Sequence, residues 1–588
     1  MSPQGQASIA LPRVRSWAQM KIGGLLGYTG IWAFFCIFLI YPLIRLFYDA
    51  FTTADGAFTL NNFYDFFTDA YYLKSLVNSL LLGGATVVTT SILGIVIAYL
   101  LLRYDFRGRN LFSFLTIVPM IMPPLVGVMG FVFIMGRAGT VNIILMDYFG
   151  FQKPVNFMYG IHGVLLVETL HLFPLMTLSI VDALGKIDLS LDEAAESVGS
   201  RGLRKFWDIT FPLTTPGYVS GALLVFIWTF ADFATPLVVG IDDLLASQAY
   251  LNIVQFVDRR LFKMGIVISA IMVLLAILFL IITKKYVAIK DYSSLSYSKI
   301  ERKKLSPWGQ TLALIFLIVV LTFAFIPYLG VALDSFGKGW ALTPIPVKYT
   351  LQYFERVAIE TPKFIFNSLI YSGISVLICI IVGVPVAWVM ARTKLPGKDL
   401  LDSLTTLILA LPGTGLGIAY LRAFREPMPL MSTALIGIWV VIPLVLGVRR
   451  LPYTVRGTFA SLLLVHKSIE EAAESVGATK AKTFKDIVAP LIWKGILVGA
   501  LYSFILALQE ASATLLLVIP GREMMTVGIF NFYIGGSVNE AAALGLVLII
   551  LGALCLWTIS KLAGTRMGGV FGSRPKKNWT QMNADFHD

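Results

Sequence analysis

Charge is scarce in this sequence. Of its 588 residues, 14% are Asp, Glu, Lys or Arg against 57% apolar, and the mean hydropathy is +0.79. That balance excludes a water-soluble globular chain. Cysteine is limited to 3 residues and histidine to 4. Cys36, Cys379 and Cys555 stand far apart inside apolar runs, which excludes a disulfide framework and a Cys/His metal spacing, so no resident metal is expected. A phosphate-binding loop is missing too. Gly185–Lys186, Gly337–Lys338 and Gly397–Lys398 are followed by Ile187, Gly339 and Asp399, where that motif needs Ser or Thr. No nucleophile, base and orienting group come together, and His466 sits on a polar connecting segment, so no catalytic site is expected.

What the chain has is long apolar runs. About 20 such residues cross the hydrocarbon of a bilayer, and only helices satisfy their own backbone there. Twelve runs predict spans near 24–48, 75–102, 111–136, 160–183, 216–240 and 262–284, then near 308–333, 366–391, 400–422, 430–448, 493–519 and 540–562. The fold class is therefore an all-α polytopic membrane protein. The first run is too long for a signal-peptide core and is read as a retained helix. The segments 1–23, 103–110, 184–215, 284–307, 392–399, 449–494 and 561–588 hold 33 of the 47 basic residues, which places them, and both termini, in the cytoplasm. A one-sided basic face accounts for the +13 net charge without nucleic acid. The Lys299–Lys304 cluster is read as part of that inner face.

The two halves repeat. Residues 190–213 align with 468–491 without gaps, with 13 identities in 24 positions at an offset of 278. A second match at an offset of 289 pairs Asn78 with Asn367, Arg103 with Arg392, Gly108 with Gly397 and Pro123 with Pro412. Six spans separate equivalent points, so the repeats run parallel, with a pseudo-twofold axis along the membrane normal and a pathway between them. The expected organisation is a segment 1–23, a first half 24–290 with loop 184–215, a basic linker 291–307, a second half 308–563 with loop 449–494, and a tail 564–588.

In each loop an acidic turn leads through good helix formers to a glycine, and a basic stretch follows before a proline. Two short helices joined at the glycine are predicted, with a new span beginning at Pro212 and Pro490. Such a pair needs a covering partner, or lies on lipid headgroups. The retained residues are Glu193, Ala194, Ala195, Gly199, Ile209 and Pro212, and Glu471, Ala472, Ala473, Gly477, Ile487 and Pro490. This Glu-Ala-Ala, Gly, Ile, Pro pattern resembles the signature loop of the permease subunits of binding-protein-dependent ABC importers. The resemblance covers nearly the whole chain and implies a fused pair of type I importer permeases in the bacterial inner membrane. It further implies two separate ATPase subunits that seat the loops and carry the ATP and Mg, with no cofactor on this chain, and an external binding protein that delivers the substrate.

Within that family, the Leu451–Arg456 stretch and Phe230–Ala231–Asp232–Phe233–Ala234 look most like ferric-iron permeases. Systems for 2-aminoethylphosphonate, sugar phosphates, thiamine and polyamines are similar. Ionisable residues inside spans carry a functional expectation by default. Asp232 and Glu510 are 278 apart, so they should face one another across the axis. They line or gate the route, where a hard cation favours oxygen ligands, or they cap a helix at a break near Pro236. Glu168 and His171 share a helical face and either bond between helices or meet substrate. An ion-gradient-driven transporter is the reading from another class; it gives no reason for twin signature loops.

Overall fold

Two of these apolar runs break at a proline, and two at a carboxylate. A computed structural model describes residues 22–53, 55–187, 194–255, 257–289, 302–340, 343–427 and 433–562. Among them, ten helices are long and apolar enough to cross a membrane, and eleven if one sharply bent pair counts as a single span. The only sheet among the described residues is two short two-stranded pairings.

Four predicted spans are broken and a fifth is displaced. The expected span 400–422 is two helices, Lys398–Ala410 and Gly413–Ala423, bent by 108°. Its counterpart, expected at 111–136, breaks between Arg109–Ile117 and Pro124–Met135. Both breaks have one cause. Pro412 and Pro123 hold the same extended backbone (φ −58°, ψ 138° and 134°) ahead of the second helix, because proline lacks the N–H that would continue the first and forces the residue before it out of helical geometry. Left-handed glycines, Gly108 (φ 84°) and Gly397 (φ 86°), precede the first helix of each broken pair, a backbone that only glycine adopts without strain.

The expected spans 216–240 and 493–519 also break, at Asp232 and Glu510. Helix Phe211–Ala231 gives way to the short Ala234–Val238, and Ala489–Leu508 to Ser512–Leu516. The span expected at 430–448 instead forms helix Val441–Leu464. Arg449, Arg450 and Arg456 had marked this stretch as the start of a cytoplasmic loop. Arg449 and Arg450 are buried against Glu510 instead, so the second loop starts only at Val465.

The halves clasp each other through their first helices. Tyr328, on the first helix of the second half, donates to the Val118 carbonyl at 2.7 Å. Tyr420, on the bent pair, donates to the Phe38 carbonyl at 2.6 Å. Helix Pro307–Phe336 crosses Pro124–Met135 at backbone contact: a Cβ added at Gly130 would lie 2.2 Å from the Pro327 carbonyl oxygen, and one at Gly330 would lie 2.2 Å from that of Gly130. Small residues allow this approach where lipid offers no hydrophobic drive for association. At the outer ends the repeat holds to the atom. Ser79 accepts from the Leu245 N–H and Ser368 from that of Met525, at 2.8 and 2.7 Å. The linker departs from symmetry: Lys303–Lys304 pairs parallel with Tyr104–Asp105 of the first half.

Gly130→Ala is expected to lower the melting temperature of the detergent-solubilised protein, through an overpacking cost of about 1–3 kcal/mol. Gly373→Ala, on a helix face with nothing within 4 Å, is the control. Equal melting temperatures for the two variants would remove the helix crossing from the account.

Candidate functional site

The breaks converge on one place. A cavity of about 140 Å3 lies between the halves and is lined by Glu168, His171 and Asp232 from the first and by Arg449, Arg450 and Glu510 from the second, with Gln509 and Tyr453 beside them. All four residues expected on the pathway are therefore brought together. Asp232 accepts from the Ala234 N–H at 3.0 Å and the Thr235 N–H at 3.3 Å. Glu510 accepts from the Ala513 N–H at 3.2 Å. Both thus cap the short helix after a break, a local role that a carboxylate fills well, and both line the cavity as well. Glu168 accepts from Thr229 at 3.5 Å on the neighbouring helix and lies against Asp232. Among the described residues, no group of three His, Cys, Asp or Glu side chains is placed to hold a metal ion.

Arg449, Arg450 and Gln509 were not anticipated. Both arginines meet Glu510, Arg449 Nε at 3.0 Å and Arg450 through Nη2. Gln509 donates to the Ile121 carbonyl across the two halves. A signal for the arginines was present: the offset of 278 carries His171 onto Arg449 and Pro174 onto Pro452, and both prolines lie inside helices, Ile161–Gly185 and Val441–Leu464.

The two signature loops share a second geometry. Gly199 (φ 85°) and Gly477 (φ 89°) end their helices in the left-handed conformation. The next residue closes each turn, Ser200 N–H to the Ala195 carbonyl at 2.9 Å and Ala478 N–H to that of Ala473 at 3.0 Å, the Schellman arrangement. Ala195 and Ala473 are buried, while Ala194, Glu471 and Ala472 are exposed. Glu193 lies outside the described residues. Val198 (82% exposed) and Val476 (86%) stand at equivalent places beside the glycines.

The expected fresh start at Pro212 and Pro490 is not found. The second short helix runs straight into the span, as Gly202–Ala231 and Lys480–Leu508. A π-helical turn precedes each proline, Phe206–Thr210 and Phe484–Val488, and contains Ile209 and Ile487. Widening the turn absorbs the proline's missing N–H without ending the helix.

Each loop is tied to the bundle by ions. Arg392 donates to Glu470 at 2.6 Å and to the carbonyls of Leu462 and Val465 at 2.8 and 2.7 Å, fastening the second loop helix to the end of Val441–Leu464. In the first loop, Glu196 accepts from Lys303 of the linker at 2.8 Å and from Lys205 at 2.9 Å. Those two hydrogen bonds, Lys303 first, pull the Glu196 carboxyl down to about 2. The tie is therefore at full strength above the ordinary carboxylate range and fades as pH falls toward 2, with solvent screening keeping its contribution modest.

The family model for "Binding-protein-dependent transport system inner membrane component" matches residues 90–290 and again 383–568. A ferric transport system permease protein of Actinobacillus pleuropneumoniae is 28% identical over 87% of this chain and 74% of its own length. A putative ferric transport system permease protein of Haemophilus influenzae is also 28% identical, over 82% of this chain and 76% of its own. The molybdenum transport system permease protein of Escherichia coli is 33% identical over 27% of this chain and 68% of its own length. Two matches of the family model, each covering one half of a helical bundle with a signature loop in each half, make this chain a member of the binding-protein-dependent transport system inner membrane components, the permease subunits of ABC importers, with both permease halves in one polypeptide.

Proposed function

We propose that this permease imports ferric iron delivered by an external binding protein, and that two ATPase subunits drive it through the twin loops. The observation that carries the coupling is the loop geometry itself: two Schellman turns 278 residues apart, each with an exposed valine beside the glycine and each followed by a helix that continues into a span ending at the central cavity. A push on either loop travels along one continuous helix, Gly202–Ala231 or Lys480–Leu508, to the break carrying Asp232 or Glu510. ATP and Mg would be held by the partners, since this sequence has no phosphate loop. ATP binding would draw the loops together and open the halves outward; hydrolysis would reset them. The charge bias supports a cytoplasmic position for both loops and both termini. Iron is favoured by the names of the two relatives that span most of the chain and by the adjacent carboxylates of Glu168 and Asp232, oxygen donors suited to a hard cation.

Replacing Glu193 and Glu471 together by alanine is expected to bring iron uptake to background and to reduce recovery of the ATPase with the purified permease, with the melting temperature unchanged. Undiminished uptake would defeat the coupling reading. Arg392→Ala leaves Glu470 and two helix-end carbonyls without their partner, so a loss of about 3–5 kcal/mol is expected. Combining it with Glu470→Gln should recover part of the melting temperature, because no unpaired charge remains, while ATPase stimulation by the permease stays low. Full recovery of stimulation in the double variant would show that the pair only stabilises the fold.

A further inference from the structure

The central cavity is built unevenly, and its second-half wall holds more positive charge than the proposed cation route uses. Arg449 and Arg450 share a single carboxylate: both approach Oε2 of Glu510, while Oε1 is occupied by the Ala513 N–H. The Arg450 side chain is only 10% exposed. Its Nε and the Nη1 of Arg449 are buried without a hydrogen-bond partner. Two guanidinium groups on one carboxylate leave a positive charge in a desolvated place, a costly arrangement unless another anion shares it.

A second feature points the same way. Helix Gly413–Ala423, 11 residues long, begins at the cavity wall, with Gly413 among the lining residues. A Cβ at Gly413 would sit 2.7 Å from Arg449 Nη1, so the glycine leaves room for that guanidinium beside the positive end of the helix. In the first half the equivalent places hold Pro124, His171 and Leu172, so the arrangement belongs to one half alone.

We propose that Arg449, Arg450 and the N-terminus of helix Gly413–Ala423 form a binding subsite for a small oxyanion inside the pathway. The fork of a guanidinium matches the paired oxygens of phosphate, sulfate or carbonate. With Glu168 and Asp232 lining the same cavity, the cargo crosses as a cation together with its oxyanion. This deepens the iron reading and rests on this cavity being the pathway.

The test uses the full-length permease, purified and reconstituted in nanodiscs, with its melting temperature followed during titration with phosphate, sulfate or bicarbonate against chloride at matched ionic strength. At least one oxyanion is expected to raise the melting temperature saturably where chloride does not. Arg449→Gln and Arg450→Gln should each weaken its apparent affinity about tenfold or more. Gly413→Ala, which crowds the Arg449 tip and removes no charge, should weaken it too and guards against misfolding of the arginine variants. Arg456→Gln, whose partner is Asp402, should leave it unchanged. No protection beyond chloride in the native protein, or protection undiminished in the Arg449→Gln, Arg450→Gln double variant, overturns the subsite. The iron reading is scored separately by uptake: oxyanion protection in a protein that imports no iron leaves the subsite standing and removes iron as cargo.

Discussion

A helix that stops inside a bilayer leaves N–H and C=O groups that lipid cannot satisfy, and the centre of this protein is organised by that constraint. Four helices stop or turn there, at Pro123, Asp232, Pro412 and Glu510. The open backbone groups are met from within: Asp232 and Glu510 cap the turns that follow them, Thr514 and Thr526 donate to the Glu510 carbonyl at 2.7 and 2.8 Å, and Gln509 donates to Ile121. Asp232, Gln509 and Glu510, among the groups that make the broken helices tolerable, also line the central cavity. Of the three carboxylates expected on the pathway, Asp232 and Glu510 therefore cap a helix as well as line the cavity, while Glu168 accepts from Thr229.

Duplication explains the frame and divergence the chemistry. Left-handed glycines, helix-breaking prolines, serine pins and Schellman turns recur at fixed offsets because each answers a backbone demand that both halves share. Apart from Asp232 and Glu510, the charged side chains around the cavity carry no such demand. There the first half presents Glu168 and His171, while the second presents Arg449 and Arg450. Among the described residues, the second loop is held through Arg392 and Glu470, and the first through Glu196 and a lysine of the linker that joins the halves. Fusion into one chain thus supplies one of the contacts that hold the first loop.

Much of this was legible beforehand. Hydropathy marks helices by length, and the twin loops stand out because identity at a fixed offset needs no structure to detect. Helix breaks were harder to see, since an apolar run looks the same whether it is straight or bent by 108° at Leu411–Pro412. The arginines were misplaced for a plainer reason. A count of basic residues treats every charge as solvated, and Arg449 and Arg450 are not.

Composition, periodicity and repetition by themselves determined that this chain is a duplicated helical membrane protein with two matched loops, because those features depend on residue order along one strand of chain. Only the tertiary structure decided that Glu168, His171, Asp232, Arg449, Arg450 and Glu510 border a single cavity. They lie on four helices from two halves, and whether a buried charge faces a partner, a helix end or open space depends on distances between segments that sequence spacing does not encode.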